Sequence, residues 1–323
     1  MKKLLVLASV LLLSITSAYA QFTLMSIDCP GVTETTARGI NNHGDIVGAY
    51  ALADYYRHPV LIKGGKCIPL AADSILATYY SEAFKINDSG DVAGFFYDDN
   101  FFVHGFLLKK GVLTIIDYPT ANDTYVFGIN ESGTVVGGWD ILDAQQNLIA
   151  EYGFTWHKGN FAQVNVPGAG DTVVKGNNAP GDLVGGWDSG PTATALHGFV
   201  FSKGQVSSFD VPYPGAWATH GNAINAKGNI VGLYLSDYTG LPHAFLKAGT
   251  TFTQIAYPGA IGTSAWGINS AGQMVGIWYD TDGNAHGWLG QPGNKGKPAA
   301  GLHVSMHTRP PAELEHRLPV TLK

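Results

Sequence analysis

One tripeptide recurs along this chain and limits what it can fold into more than any bulk property does. Gly39-Ile40-Asn41 returns as Lys85-Ile86-Asn87, Gly128-Ile129-Asn130, Gly176-Asn177-Asn178, Ala223-Ile224-Asn225 and Gly267-Ile268-Asn269. Successive Asn positions lie 46, 43, 48, 47 and 44 residues apart. Six units of about 45 residues therefore fill residues 21–290, and tandem repetition at this period marks stacked or ring-closed folds.

Each Asn is followed three residues later by a glycine: Gly44, Gly90, Gly133, Gly181, Gly228 and Gly272. Asn at the first place of a type I turn bonds the local backbone, and Gly at the fourth tolerates positive φ. Apolar flanks such as Ile40 and Ile46-Val47 make the segment a β-hairpin. An aromatic place follows (Tyr50, Phe96, Trp139, Trp187, Tyr234, Trp278), then a short third strand such as His104-Gly105-Phe106-Leu107. A fourth strand such as Val112–Asp117 completes the unit, and Pro-Gly or a variant of it ends the ladder. Four short antiparallel strands with no helix between them are a propeller blade. The predicted fold is all-β, a six-bladed β-propeller of four-stranded antiparallel blades. An open solenoid would need shorter, more uniform coils.

The chain ends share one phase. Phe22–Asp28 reads as a fourth strand and His286–Leu289 as a third, so the N-terminal strand is expected to close the last blade. Before it, Lys2 and Lys3, the apolar run Leu4–Leu13 and the small-x-small triplet Ala18-Tyr19-Ala20 read as a signal peptide over residues 1–20. The run is too short to span a membrane, which takes about 20 residues, and no later segment is long and apolar enough. The expected compartment is extracellular or periplasmic. Residues 291–323, rich in Pro and without periodicity, read as a flexible tail.

Charge narrows the partners. Residues 21–290 carry 12 Lys and Arg against 23 Asp and Glu, a balance of −11, and such a surface repels phosphate backbones, so no nucleic-acid partner is expected. Cys29 and Cys67 occupy non-equivalent repeat positions without CxxC spacing. A disulfide stays open, but the positions favour two separate thiols, too few for a metal cluster.

The unit Gly-Ile-Asn-x-x-Gly-x-Ile-Val-Gly-x-Tyr/Trp, followed by His-Gly-Phe or by His243-Ala244-Phe245-Leu246, resembles the HAF family of probable extracellular repeat proteins. The resemblance covers residues 22–290. It departs at Ile68-Pro69-Leu70, where Ile-Asp-x-Pro is expected, at Asn177 in the Ile place, and at Tyr152 in the His place. It implies export and tandem repetition and transfers no activity.

Repetition itself sorts the candidate chemistry, because scaffold roles recur in every unit while a site breaks symmetry. His58, His104, His197, His243 and His286 share one place. Zinc needs its ligands about 2 Å from one centre, whereas one His per blade suits structural hydrogen bonds. The recurring aromatics suit core packing better than a sugar-stacking platform. Asp280-Thr281-Asp282-Gly283-Asn284 lacks the distal Glu of a calcium loop and reads as a turn. No G-x-S-x-G, HExxH, P-loop or dinucleotide fingerprint occurs, so no catalytic residue, metal or cofactor is assigned.

The divergent places lie just before each Asn, in the pattern Thr-x-Ala-x-Gly-Ile-Asn, where the two x side chains share one strand face. If this strand is innermost, the x residues converge on the central opening. Arg38, Glu82, Tyr125, Lys175, His220 and Trp266 are the expected ligand contacts. The expected function is an exported, non-catalytic scaffold binding a glycan or a surface protein. The alternative is a propeller glycosidase or lyase, which as a glycosidase would need two carboxyl groups about 5–9 Å apart drawn from Glu34, Glu82, Glu131 and Asp171. Mass spectrometry of protein recovered outside the cytoplasm should find Gln21 at the N-terminus; retention of Met1 in a membrane fraction would overturn the export reading.

Overall fold

The computed structural model describes residues 22–53, 56–70, 74–77, 80–190, 193–236, 239–293 and 305–306. The signal-peptide reading over 1–20 and most of the tail reading lie outside them. The protein is a six-bladed β-propeller, each blade a four-stranded antiparallel sheet whose strands run outward in chain order, save that the sixth takes the N-terminal strand as its outermost. The innermost strands are Glu34–Ile40, Ser81–Ile86, Asp123–Ile129, Asp171–Asn177, Ala218–Ile224 and Gly262–Ile268. Each touches the innermost strands of both neighbours, the first touching the sixth. Between blades lies the apolar core. Phe106, Phe154, Phe199, Phe245 and Trp288 sit fully buried on the third strands, and alternating Val, Ile and Ala from the inner strands pack around them.

The repeated Asn does more than start a turn. Its Oδ1 closes its own hairpin, as when Asn41 accepts from His43 N and Asp45 N at 3.0 and 2.9 Å. Its Nδ2 donates to the backbone carbonyl of the Asn in the next blade: Asn41 to Asn87, Asn87 to Asn130, Asn130 to Asn178, Asn178 to Asn225, Asn225 to Asn269, and Asn269 back to Asn41. These six bonds of 3.0–3.3 Å form an unbroken buried circle. At the other end of the inner strand, Thr hydroxyls accept from the loop arriving from the previous blade. Cys29 N to Thr35 and Tyr118 N to Thr124, both 2.9 Å, are examples.

Strands meet so closely at the axis that one place tolerates almost no side chain. A Cβ on Gly39 would fall 2.8 Å from Lys85 Cα and from Phe84 O of the next blade, and one on Gly176 2.9 Å from Ala223 Cα. At this place the second blade carries Lys85 and the fifth Ala223.

The histidine place is a structural pairing within the blade. Nδ1 of His104 and His197 donates to Asp117 and Asp210 at 3.0 Å. The imidazoles stack on the recurring aromatics, with His286 4.3 Å from Trp278 and His104 5.3 Å from Phe96. The Asp280 carboxylate accepts from Asp282 N, Asn284 N, Asn284 Nδ2 and His286 Nε2, as a turn requires.

Phe22–Ile27 lies antiparallel to Ala285–Pro292 as the outermost strand of the sixth blade, from Phe22↔Pro292 to Ile27↔Gly287. The last strand thus runs three residues beyond Leu289. Asp28 accepts from His286 Nδ1 at 2.8 Å. The expectation of two separate thiols is overturned: Cys29 and Cys67 form a disulfide with Cα atoms 5.9 Å apart. Non-equivalent repeat positions misled because Cys29 follows a strand of the sixth blade, while Cys67 lies on the outermost strand of the first. The crossover between them brings both into one buried cluster. A 38-residue loop closed in this way stabilises the fold by about 4 kcal/mol in the chain-entropy account. Within the tail, Ser305–Met306 pairs in parallel with Lys66–Cys67 at the edge of the first blade.

Asn130→Ala removes two backbone acceptor contacts and the bond to Asn178. Urea unfolding should show a loss of about 1–3 kcal/mol, with the far-ultraviolet spectrum unchanged. A loss no greater than that of the exposed Gln145→Ala would deny the circle a structural role.

Candidate functional site

Every inner strand carries a β-bulge at the same place, between Ala37 and Gly39, Ala83 and Lys85, Val126 and Gly128, Val174 and Gly176, Gly221 and Ala223, and Ala265 and Gly267. A bulge leaves its extra residue unpaired and re-aims its side chain. The six bulged residues are Arg38, Phe84, Phe127, Lys175, Asn222 and Trp266, which are the second x places of the repeat. They meet around the axis. The Arg38 guanidinium lies 4.0 Å over the Trp266 ring and 4.8 Å from Phe84. Phe84 is 5.2 Å from Phe127 and 5.9 Å from Trp266. Lys175 Nζ lies 5.8 Å from both Phe127 and Trp266.

The first x places form a second layer. Glu82 is sealed: Arg38 donates to it at 2.8 and 3.1 Å, Thr36 at 2.8 Å and Arg57 at 3.4 Å. Burial raises its pKa, but the two guanidiniums outweigh that and hold it below the usual carboxylate range. Tyr125 stands among Phe95 and Phe127 at 5.3 and 6.0 Å. His220 turns Nδ1 into the interior beside Gly186, where it has no partner. Burial and the Lys175 charge keep that imidazole neutral by pulling its pKa well below 6.5.

Of the six expected contacts, Lys175 and His220 therefore reach a common opening. Arg38 and Glu82 neutralise each other, Trp266 lies beneath Arg38, and Tyr125 is packed among rings. The opening is a pocket of about 140 Å³ between blades 3, 4 and 5, lined by Phe127, Glu151, Asp171, Lys175, Trp187, Asp188 and His220. Of the four carboxylates that could have formed a catalytic pair, Glu34 and Glu82 share the Arg57 guanidinium, which donates to them at 3.2 and 3.4 Å and holds both as ion-paired acceptors, and Glu131 belongs to the opposite mouth. Asp171 alone lines this pocket, accepting from Glu151 N at 2.8 Å.

Acidic residues build this mouth. Asp123 stands directly opposite Asp140 in the third blade, and Asp171 opposite Asp188 in the fourth. Like charges directly opposite in a sheet are destabilising. The same places hold Glu34↔Ala51, Ala218↔Leu235 and Gly262↔Tyr279 in blades 1, 5 and 6. Burial, helped by Asp123 and Asp171, pushes the Asp140 carboxyl up to about 7. Burial and then Asp140 raise Glu151, and burial lowers Lys175. Sequence reasoning missed Glu151, Asp140 and Asp188. Comparing the residues flanking the Thr and aromatic places across the six copies would have found the two Asp pairs.

The pH dependence follows. Asp140 holds its proton more tightly folded than unfolded, so its contribution to stability falls as pH rises from about 3.9, the unfolded value, to about 7. Asp140→Asn should be close to neutral at pH 4 and stabilising at pH 8, read from melting temperatures at both. Equal effects at the two pH values would contradict the raised pKa.

No protein-family model matches the chain, and no curated protein matches its sequence. Solved structures do match. A protein of unknown function from Dyadobacter fermentans is 10% identical with a TM-score of 0.52, covering 84% of this chain and 98% of that one. A mutant Aleuria aurantia lectin in complex with Fucalpha1-6GlcNAc is 10% identical with a TM-score of 0.48, covering 83% and 99%. The β-propeller domain of the Trilobed protease from Pyrococcus furiosus is 9% identical with a TM-score of 0.43, covering 82% and 100%. Likeness at this level of identity speaks to fold alone, and the fold is the β-propeller that the sheet topology shows.

Proposed function

We propose that this propeller is an exported, non-catalytic binding protein of the HAF repeat type, and that its ligand is a neutral or amino sugar of a glycan. The observation that carries the reading is the pair of opposed aspartates in blades 3 and 4. They place electrostatic repulsion at one mouth, where the repeat elsewhere has none, beside the neutral His220 imidazole, Lys175 and Trp187. Carboxylates accept hydrogen bonds from sugar hydroxyls, and Trp187, half-buried with its ring tilted 32° against His197 at 4.9 Å, offers an apolar face for a sugar ring. The acidic mouth disfavours uronic and sialic acids. A volume of about 140 Å³, below the ~300 Å³ of pockets for drug-sized ligands, suits one ring or a chain end. The Cys29–Cys67 disulfide supports export, since such bonds persist in oxidising compartments.

A second reading, a carbohydrate-active enzyme, draws on Glu151, whose raised pKa beside Asp171 suits a general acid. One experiment separates the two. On a glycan array followed by calorimetry, the mature protein should bind neutral or amino sugars without turnover. Trp187→Ala and Asp188→Asn should weaken binding about tenfold, the scale of one lost hydrogen bond to a charged group, with little change in melting temperature. Sugar release that Glu151→Gln abolishes would install the enzyme reading. No glycan binding at all would overturn both.

A further inference from the structure

The opposite mouth, encircled by the Asn turns, breaks the repeat in a different way. The residue after each ring Asn is Asn42, Asp88, Glu131, Ala179, Ala226 and Ser270 in blade order. From the sixth blade to the third, the backbone N–H at this place donates to the side chain at the same place in the next blade. Ser270 N donates to Asn42 Oδ1 at 2.9 Å, Asn42 N to Asp88 Oδ1 at 2.7 Å, and Asp88 N to Glu131 Oε2 at 2.9 Å. The chain then stops, because the places next to Glu131 and Ala179 hold the methyl groups of Ala179 and Ala226, and Ser270, next to Ala226, accepts no bond from it. The N–H groups of Glu131, Ala179 and Ala226 have no acceptor among the described residues.

Lys85 lies at the floor of the same depression. It stands where four of the other blades have glycine, and it is 8% exposed. Its Nζ donates to Trp266 O of the sixth blade at 3.3 Å and meets no carboxylate among the described residues. An ammonium carries three donors, so two are left over in a buried setting where unmet donors are costly. Lys85, Glu131, Ala179, Ala226 and Ser270 together line a depression of about 90 Å³.

We propose that this depression binds the carboxylate of a small monoanion, with Lys85 as counter-charge and the N–H groups of Ala179 and Ala226 as donors. The protein supplies the template, since the carboxylates of Asp88 and Glu131 already accept the equivalent N–H groups in the neighbouring blades. A ligand carboxylate supplies to the N–H groups of the fourth and fifth blades what those side chains supply to the N–H groups of the first and second. Charge sets the valence. Lys85 balances one negative charge, and the Asp88 and Glu131 carboxylates at the rim oppose a second, so a monoanion is preferred over a dianion such as sulfate. The sugar site proposed at the other mouth shares none of these residues.

The test is a titration of ¹⁵N-labelled protein with acetate and with sulfate at pH 6.5, below the value of about 8 to which burial lowers Lys85, following backbone amide resonances. Acetate should shift the Ala179 and Ala226 amides saturably, and the dianion sulfate should bind about tenfold more weakly or not at all. Lys85→Gly, which restores the commoner repeat residue, and Lys85→Met, which keeps the side-chain bulk, should each weaken acetate binding about tenfold or more. Ala226→Asp should supply the carboxylate to Ala179 N from within the chain and abolish the acetate response. Asp188→Asn, at the glycan mouth, should leave the acetate response unchanged. Amides that do not move with acetate, or that move in both Lys85 variants as they do in the unaltered protein, would overturn the proposal.

Discussion

The circle of asparagine carboxamides is the constraint on which the rest of the molecule depends. Each carboxamide faces two ways, its oxygen closing the turn within a blade and its nitrogen reaching the backbone of the next. Neither half can be exchanged for a similar residue. Asp would lose the donor, and Gln would carry the same groups one methylene too far out. Because the circle returns from Asn269 to Asn41, no inner strand is held by one neighbour only. The backbone at the axis is positioned on both sides before any apolar packing is counted.

That fixed inner edge makes the bulges useful. With the turn pinned below by Asn and the incoming loop pinned above by Thr, the extra residue in each inner strand has one direction left, towards the axis. Scaffold and site are thereby separated within a seven-residue segment. Its Thr, small and Asn places serve the ring, while its bulged place is free to hold Arg, Phe, Lys, Asn or Trp. The axis uses much of that freedom on itself, since Arg38 is shared between Glu82, Phe84 and Trp266. What remains open lies at the two mouths.

The mouths differ in the sign of their frustration. One gathers carboxyl groups in positions where burial and mutual repulsion raise their pKa, with a neutral histidine and a lysine among them. The other holds a lone buried cation beneath a partial ring of unfilled backbone donors. Both arise where the repeat departs from its own consensus, and in both the departure costs stability that the other blades do not forgo.

The blade count, the four-strand unit, the turn chemistry and the convergence of the x places were all legible in one dimension. Each is a local property repeated six times, and repetition averages away local ambiguity. The role of the Asn nitrogen was not legible, because its partner lies a whole blade away. Nor was the pairing of Cys29 with Cys67, which depends on a crossover between the sixth and first blades. Arg38, Glu82 and Trp266 were rightly placed near the axis, but sequence could not tell that they would occupy one another. Which charges neutralise each other and which are left facing a cavity is set by distances of a few ångströms between strands distant in sequence. Sequence by itself determined the ring and the places where its symmetry breaks. Only the tertiary structure decided which broken places stay open to a ligand, because only closure of the ring brings Asp140 near Asp171, Lys175 near His220, and Lys85 beneath Ala179 and Ala226.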